Sequence, residues 1–121
     1  MYSVRVEGDF AAAHFLVNYH GKCENLHGHN YKVFLHLEGT ELDEGGMLCD
    51  FGILKKTLKM VLKTLDHSNL NDIEAFKDGR PSAERIAKYI FDECSLLLNP
   101  LTPSRVDVFE TDRSRASYTA N

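Results

Sequence analysis

Residues 51–65, FGILKKTLKMVLKTL, carry the clearest structural pattern in the chain. Apolar side chains recur there at intervals of three and four, the spacing of one face of an α-helix. The recurring residues are Phe51, Leu54, Leu58, Val61, Leu62 and Leu65. Lysines fill the opposite face, and Asp50 is placed to cap the first turn. The stretch therefore predicts an amphipathic helix packed on a core.

Two strands are predicted before this helix. Val4 and Val6 alternate with polar residues in YSVRVEGDFAAAHFL (2–16), which indicates a half-buried strand interrupted at Gly8. The run NYKVFLHLE (30–38) predicts a second strand that ends at Gly39. The acidic, glycine-containing segment that follows predicts a loop that leads to the helix.

A second helix and two more strands are predicted after a polar connection at residues 66–81. Ser82 is placed to cap this helix, and Asn99-Pro100 ends it. The expected inner stripe is Ile86, Ile90 and Leu97, with Ala83, Ala87 and Cys94 beside it. The runs SRVDVFETD (104–112) and RASYT (115–119) predict strands joined by a turn around residues 112–113. The order β-β-α-α-β-β predicts an α+β fold, a four-stranded antiparallel sheet with two helices on one face.

Length and charge narrow the function classes. A chain of 121 residues is one domain, residues 1–121, with a formal charge of -4 and no Lys/Arg cluster of the kind that nucleic-acid binders carry. No apolar run reaches membrane-spanning length, and the first residues do not open a signal peptide, so we expect a cytoplasmic protein. Cys23, Cys49 and Cys94 are an odd set without a CxxC pair, which argues against a disulfide framework.

The segment CENLHGHNY (23–31) concentrates metal-ligand chemistry. His27 and His29 are two apart, so in an extended segment both imidazoles leave the same face. With His14 on the first strand they make the three-imidazole set of a catalytic zinc site; the alternative is two solvated turn histidines with His14 packed on its own. Cys23 lies in a polar loop, where it is either a fourth ligand or an acid/base with thiolate character.

The other cysteines and histidines suggest structural or surface roles. Cys94 lies on the inner stripe of the second helix and is expected to be a small buried hydrophobe, and Cys49 is likewise read as structural. His20 falls in a loop, and His36 points away from the face set by His27 and His29. Both are predicted to be surface residues.

Two further positions have side chains suited to catalysis, and each also has a structural interpretation. Asp66-His67 pairs a carboxylate with an imidazole, which suits proton relay, although Asp66 alone would also cap a turn. Glu110 lies in the apolar run VDVFET (106–111), so it needs a buried donor or a ligand unless it faces water from an edge strand.

Six motifs together, FAAAH, CENLHGHNY, GMLCDFGILKK, LDHSNLND, PSAERIA and VFET, resemble the family of 6-pyruvoyl-tetrahydropterin and 6-carboxy-tetrahydropterin synthases. The resemblance spans nearly the whole chain. It implies the tunnelling fold, in which four-stranded subunits close into a β-barrel, typically a trimer, and two barrels stack with active sites between subunits. The expected partners are therefore copies of the same chain and a small pterin triphosphate.

The resemblance also implies residue roles. Zinc is expected on His14, His27 and His29, with Cys23 as proton acceptor. The pair Asp66 and His67 is implied as a relay for a second proton transfer. Glu110 is implied as the anchor of the pterin's guanidine-like edge and is often counted with the catalytic relay in the family. The segment Ser82, Ala83 and Glu84 is implied to face the pterin, with Ala83 where many relatives have a hydroxyl.

Within the family, the three residues between Cys23 and His27 are typical of the carboxy-tetrahydropterin branch of queuosine biosynthesis. The expected reaction converts 7,8-dihydroneopterin triphosphate to 6-carboxy-5,6,7,8-tetrahydropterin, with loss of acetaldehyde and triphosphate. Pyruvoyl-tetrahydropterin formation and a non-catalytic zinc or pterin module are the alternatives, and Glu24 keeps a folate-type branch open. Lys22, Lys77 and Arg80 are candidate contacts for the triphosphate.

Overall fold

The computed structural model describes residues 1–17 and 25–120. Four long strands and two helices form the frame, and a two-residue strand and two single 3₁₀ turns lie between the helices. The elements are β1 (Tyr2–His14), β2 (His27–Gly39), α1 (Phe51–Lys63), β3 (Ser68–Asn69), 3₁₀ turns at Leu70–Asp72 and Glu74–Phe76, α2 (Ala83–Leu98), β4 (Arg105–Thr111) and β5 (Ser114–Thr119).

The sheet has five strands in the order β3-β1-β2-β4-β5. The four long strands are antiparallel to their neighbours, as predicted, but β3 pairs parallel with β1 at Ala12 and Ala13. The prediction of a purely antiparallel, four-stranded sheet is therefore wrong in that detail. Two residues carry no period that a sequence pattern can detect, so this strand was read as part of a connection.

Both helices cover one face of the sheet, as predicted. The α1 helix contacts β1, and α2 contacts β4 and β5. Asp50 caps α1 through its bond from the Gly52 amide, and the Ser82 hydroxyl accepts from the Arg85 amide at the start of α2. Two predicted core positions are wrong: Phe51 is 53% exposed and Leu97 is 50% exposed, while Leu98 is buried in place of the latter.

Gly8 does not interrupt β1, which runs through it without a break. A Cβ at this position would lie 2.8 Å from Leu62 Cδ1 and 3.0 Å from Leu58 Cδ2. The glycine therefore marks the point where α1 packs directly on the strand backbone, a known reason for glycine inside a strand.

His36 is buried rather than at the surface, which corrects the prediction. It does point to the face of the sheet without helices, but its Nε2 lies 2.6 Å from Asp107 Oδ2. The other oxygen of Asp107 accepts a bond from Ser117 at 2.5 Å and lies 3.0 Å from Arg105 Nε. The partner that buries His36 is 71 residues away in sequence, so the local pattern did not indicate it.

The two described cysteines are buried and free, as predicted. Burial raises the pKa of the Cys94 thiol to about 12, and burial likewise raises the pKa of Cys49, so both are protonated, unreactive side chains near neutral pH. Among the described residues, no helix has the length and apolar character needed to cross a membrane.

Candidate metal centre and relay pair

Three histidines and one glutamate converge where β1, β2 and β4 meet. The register places His14 opposite His27 and Ala12 opposite His29, so the three imidazoles project from neighbouring positions on one face. One ligand atom from each of His14, His27, His29 and Glu110 lies within 4.8 Å of the others. We call these four residues the His₃Glu cluster.

Backbone carbonyls fix which nitrogen two of the imidazoles present to the cluster. His14 Nδ1 lies 2.8 Å from the Pro81 carbonyl oxygen, and His27 Nδ1 lies 2.7 Å from the Asn25 carbonyl oxygen. A carbonyl only accepts, so each Nδ1 carries a proton, and Nε2 is the nitrogen that the neutral ring can offer to a metal ion. Those two Nε2 atoms are 3.0 Å apart.

Burial keeps His14 suited to ligation. The side chain is 1% exposed, and burial lowers its pKa because the charged imidazolium would lose hydration. The neutral form is the one that binds metal ions, so the environment favours a ligand at neutral pH.

Glu110 reaches the cluster from a β-bulge. The register between β4 and β5 shifts between Phe109 and Thr111, and a bulge is a common device for redirecting a side chain. Glu110 Oε1 lies 2.8 Å from His29 Nε2 and 3.9 Å from His14 Nε2. Even so, His29 Nε2 is buried and lacks a hydrogen bond of acceptable geometry.

This donor set fits a zinc ion. Ligands about 2.0–2.1 Å from a tetrahedral zinc are separated from one another by about 3.4 Å. Separations of 2.8, 3.0 and 3.9 Å in the His₃Glu cluster lie on both sides of that value. Three imidazoles with one oxygen donor is a set that zinc accepts, and a metal ion would satisfy the otherwise unbonded His29 Nε2.

Tyr31 supports the cluster from the core. Its side chain is fully buried and stacks on Phe10, with ring centroids 4.6 Å apart. Its hydroxyl lies 3.2 Å from His14 Nδ1 and 3.3 Å from His14 Nε2. The contact restricts the orientation of the His14 ring beside the Pro81 carbonyl.

The predicted Asp66-His67 pair is formed. His67 Nδ1 lies 2.9 Å from Asp66 Oδ2, and Asp66 Oδ1 accepts a 2.9 Å bond from the Ala11 amide. That backbone bond is the main cause of a lowered pKa for Asp66, so the carboxylate stays ionised and holds the His67 ring. His67 has a φ of 56°, uncommon for a non-glycine residue.

Backbone and side-chain hydrogen bonds of the segment around His67 connect this pair to β1, the strand that carries His14. The His67 amide donates to the Ala11 carbonyl at 2.6 Å. Asn71 further along accepts from the Phe15 amide at 2.9 Å and donates to its carbonyl at 3.0 Å. The side chain of Asn71 thus acts like a strand partner for the residue that follows His14.

The Asp66-His67 pair and the His₃Glu cluster are not bonded to each other within the described chain, although His67 and His29 line a common open cleft of about 410 Å³. The pair lines a cleft of about 450 Å³ with Asn30, Lys32 and Phe109, on the face of the sheet without helices. In the described ranges 1–17 and 25–120, no hydrogen bond or ion pair joins Asp66 or His67 to the cluster.

Among the remaining predicted site residues, Ser82, Ala83 and Glu84 are described by the structure and Cys23 is not. Ser82 is half-buried and its hydroxyl caps α2, while Ala83 and Glu84 form the first turn of that helix. The carbonyl of Pro81, directly before them, accepts a hydrogen bond from His14 Nδ1, so this segment adjoins the His₃Glu cluster. Cys23 lies outside the described residues, as do His20 and Lys22.

Three contributors to the site were missed in the sequence. Pro81 acts through its carbonyl, which leaves no side-chain pattern to read, and Asn71 acts on a backbone 56 residues away. Tyr31 ends the quoted segment CENLHGHNY, and its place two residues after His29 on a strand was a usable signal.

Comparison with known proteins agrees with this geometry. A family model described as 6-pyruvoyl tetrahydropterin synthase matches residues 3–121. The chain is 39% identical to a 6-carboxy-5,6,7,8-tetrahydropterin synthase of Bacillus subtilis, over 97% of this chain and 86% of that protein. It is 36% identical to the human 6-pyruvoyl tetrahydrobiopterin synthase, over 81% of this chain and 70% of that protein.

A solved structure extends the similarity to the fold. The 6-pyruvoyl tetrahydropterin synthase of Caenorhabditis elegans superposes with a TM-score of 0.90 at 33% identity, covering 99% of this chain and 96% of that one. Proteins of both branches are therefore similar to this chain along most of its length. The chain belongs to the 6-pyruvoyl tetrahydropterin synthase family, whose members are lyases that make tetrahydropterins.

Proposed function

We propose that this chain is a zinc-dependent lyase that converts 7,8-dihydroneopterin triphosphate to 6-carboxy-5,6,7,8-tetrahydropterin, releasing acetaldehyde and triphosphate, in the cytoplasm. The observation that carries the proposal is the His₃Glu cluster, because three imidazoles and a carboxylate together suit a Lewis-acid metal. The short gap between Cys23 and His27 supports the carboxy branch, as does the match to the B. subtilis relative over nearly the whole chain.

Zinc held by His14, His27 and His29 would acidify side-chain hydroxyls of the substrate. The chain's own residues would supply proton transfer and orientation. Cys23 would accept one proton as a thiolate. His67, oriented by Asp66, moves the second proton.

The carboxylate of Glu110 pairs with the planar donor edge of the pterin in this proposal, which orients the ring by charge-assisted hydrogen bonds. The segment Ser82, Ala83 and Glu84 lines the same substrate. Support for that placement is the bond from Pro81 to His14, which brings the start of α2 beside the metal ligands.

The complete site is proposed to need two copies of the chain. Support for this is that no hydrogen bond or ion pair joins the Asp66-His67 pair to the cluster in the described chain, although His67 and His29 line one open cleft. Two edges of the sheet also have no strand partner along most of their length in the described chain: β1 before Ala12, and β5. Pairing these edges between copies would close a barrel, typically a trimer, and two barrels would stack.

Formation of 6-pyruvoyl-tetrahydropterin by triphosphate elimination is the second candidate, and similarity to the human enzyme favours it. Incubating the zinc-loaded protein with 7,8-dihydroneopterin triphosphate and identifying the pterin by mass separates the two. We expect the carboxy product together with acetaldehyde. The pyruvoyl product would support the second candidate, and unchanged substrate would refute both.

A further inference from the structure

The loop of residues 78–81 contacts the chain around His14 at two points. The Pro81 carbonyl accepts the hydrogen bond from His14 Nδ1 at 2.8 Å, and the Gly79 carbonyl accepts a 3.1 Å bond from the Val17 amide. Gly79 has a φ of 79°, and a Cβ there would lie 2.8 Å from both Cγ atoms of Val17. The position of this loop therefore decides where the oxygen that holds the His14 ring lies.

Arg85, in the first turn of α2, binds the same loop through three acceptors. Its Nη1 forms an ion pair with the Asp78 carboxylate and donates to the Arg80 carbonyl at 3.4 Å. Its Nη2 donates to the Ala75 carbonyl at 3.3 Å. The other oxygen of Asp78 accepts a 3.2 Å bond from the Arg80 amide. The guanidinium thus holds the residue directly before Pro81, both at its carbonyl and through Asp78.

We propose that Arg85 is a positioning residue for the metal site, which acts through Asp78 and the loop to keep the Pro81 carbonyl against His14 Nδ1. The inference rests on the zinc-binding part of the proposed function. The partner of the second imidazole nitrogen sets the orientation and basicity of a ligating histidine, and its loss typically weakens metal binding about 10–100-fold.

Arg85 acts on the metal ligands only through the loop. Within the described ranges 1–17 and 25–120, its hydrogen bonds and ion pair go to the loop, to Ala75 and to the Ser82 cap, and none goes to the His₃Glu cluster. A guanidinium suits this role because its planar fork of N–H groups can bind a carboxylate and two carbonyls at once. A lysine would keep the charge but not the fork.

The Arg85-Asp78 ion pair is also open to solvent, with side chains 41% and 48% exposed. Exposed ion pairs contribute little to the free energy of unfolding. Removing this one should therefore leave the domain folded while it releases the loop, which separates a positioning role from a stabilising one.

The test measures how tightly the protein holds zinc. Zinc-loaded wild type, Arg85→Ala and Asp78→Ala are equilibrated with a chelator of known zinc affinity, and the protein-bound zinc is determined. We expect both variants to bind zinc about tenfold more weakly, at the lower end of the effect of a lost supporting bond. The double variant should be little weaker than either single one, because the two side chains act through one contact. Arg85→Lys should lie between wild type and Arg85→Ala.

Lys88→Ala is the matched control. Lys88 lies on the same helix and pairs with Asp92 at 2.6 Å, and the two side chains are 54% and 51% exposed. The change removes a similar exposed ion pair that does not involve the loop, so zinc affinity should match wild type. Equal affinity for wild type and Arg85→Ala, or an equal loss in Lys88→Ala, would overturn the positioning role.

Proton NMR of the zinc-loaded proteins reads the His14 contact itself. The His14 Nδ1 proton should give a signal in wild type and Lys88→Ala, and the signal should be lost to exchange with water in Arg85→Ala. A signal retained in Arg85→Ala would overturn the proposal. A wild-type protein that holds zinc but makes no tetrahydropterin would refute the proposed reaction and leave this result standing.

Discussion

Asp107 is a carboxylate with almost no solvent contact, 2% exposed on the face of the sheet without helices. Burial raises its pKa, but hydrogen bonds from Ser117 and His36 and the charge of Arg105 lower it by more, so the net pKa lies below its ordinary value. A lowered pKa means that the ionised form stabilises the fold above the unfolded-state pKa. That stabilisation is lost as the pH falls through the folded-state pKa.

Replacing Asp107 with Asn should destabilise the protein by about 1.5–3 kcal/mol at pH 7, because the buried hydrogen bonds from His36 and Ser117 lose their charged acceptor. Urea unfolding measures the difference. The difference in unfolding free energy between the variant and wild type should narrow as the pH falls below the ordinary carboxyl pKa and through the lowered folded-state pKa, where the wild-type carboxyl also becomes neutral. Asp112→Asn, on the exposed turn, should stay within about 0.5 kcal/mol of wild type. A difference in unfolding free energy that is constant from pH 3 to 7 would contradict an ionised Asp107 in the folded protein.

Cys23 and the histidines are proposed to divide the chemistry between them. Cys23→Ala should keep one zinc per chain and lose turnover, since the thiolate moves a proton and does not bind the metal. Metal analysis of the purified variant, alongside the product assay, checks both halves. Loss of zinc in this variant would make Cys23 a ligand.

At the scale of elements, the contact of α1 with β1 depends on the absence of a side chain at Gly8. Gly8→Val should cost about 1–3 kcal/mol, because its Cβ alone would come within 2.8 Å of Leu62 Cδ1. Glu7→Val, the preceding residue on the opposite face, is the matched control and should change stability little. An unchanged urea midpoint for Gly8→Val would show that α1 can shift away without cost.

The elements also show how far sequence alone could go. Periodicity predicted both helices, their caps at Asp50 and Ser82 and the four long strands, because these signals are local. The predicted interruption at Gly8 is wrong, because a glycine in a strand is compatible both with a break and with a close helix contact. The short β3 and the burial of His36 depend on partners distant in the chain, which no local pattern encodes.

The candidate site was predictable to a similar extent. Spacing on the strands predicted His14, His27 and His29 as metal ligands, and the three side chains lie together in the structure. No local pattern places Glu110 among the imidazoles, because its position depends on a bulge in β4. The carbonyl of Pro81 and the amide of Asn71 act on backbone or ring atoms far along the chain, so their contributions required the fold.

At the scale of the whole molecule, the proposal is that each active site joins the metal-binding histidines and Cys23 of one copy to the Asp66-His67 pair of another. Free edges at β1 and β5 are the surfaces through which the copies would meet. Native mass measurement should therefore give a trimer or a dimer of trimers. A monomer that is fully active would exclude a shared site.

Mixing two inactive variants tests this arrangement most directly. Cys23→Ala and His67→Ala, each inactive alone, are unfolded together, refolded in equal amounts and assayed, with different tags to show that mixed oligomers form. Random assortment gives about a quarter of the sites an intact Cys23 from one copy and an intact His67 from its neighbour, so about a quarter of wild-type activity should return. Mixed oligomers with no more activity than the separate variants would show that each site is built within a single chain.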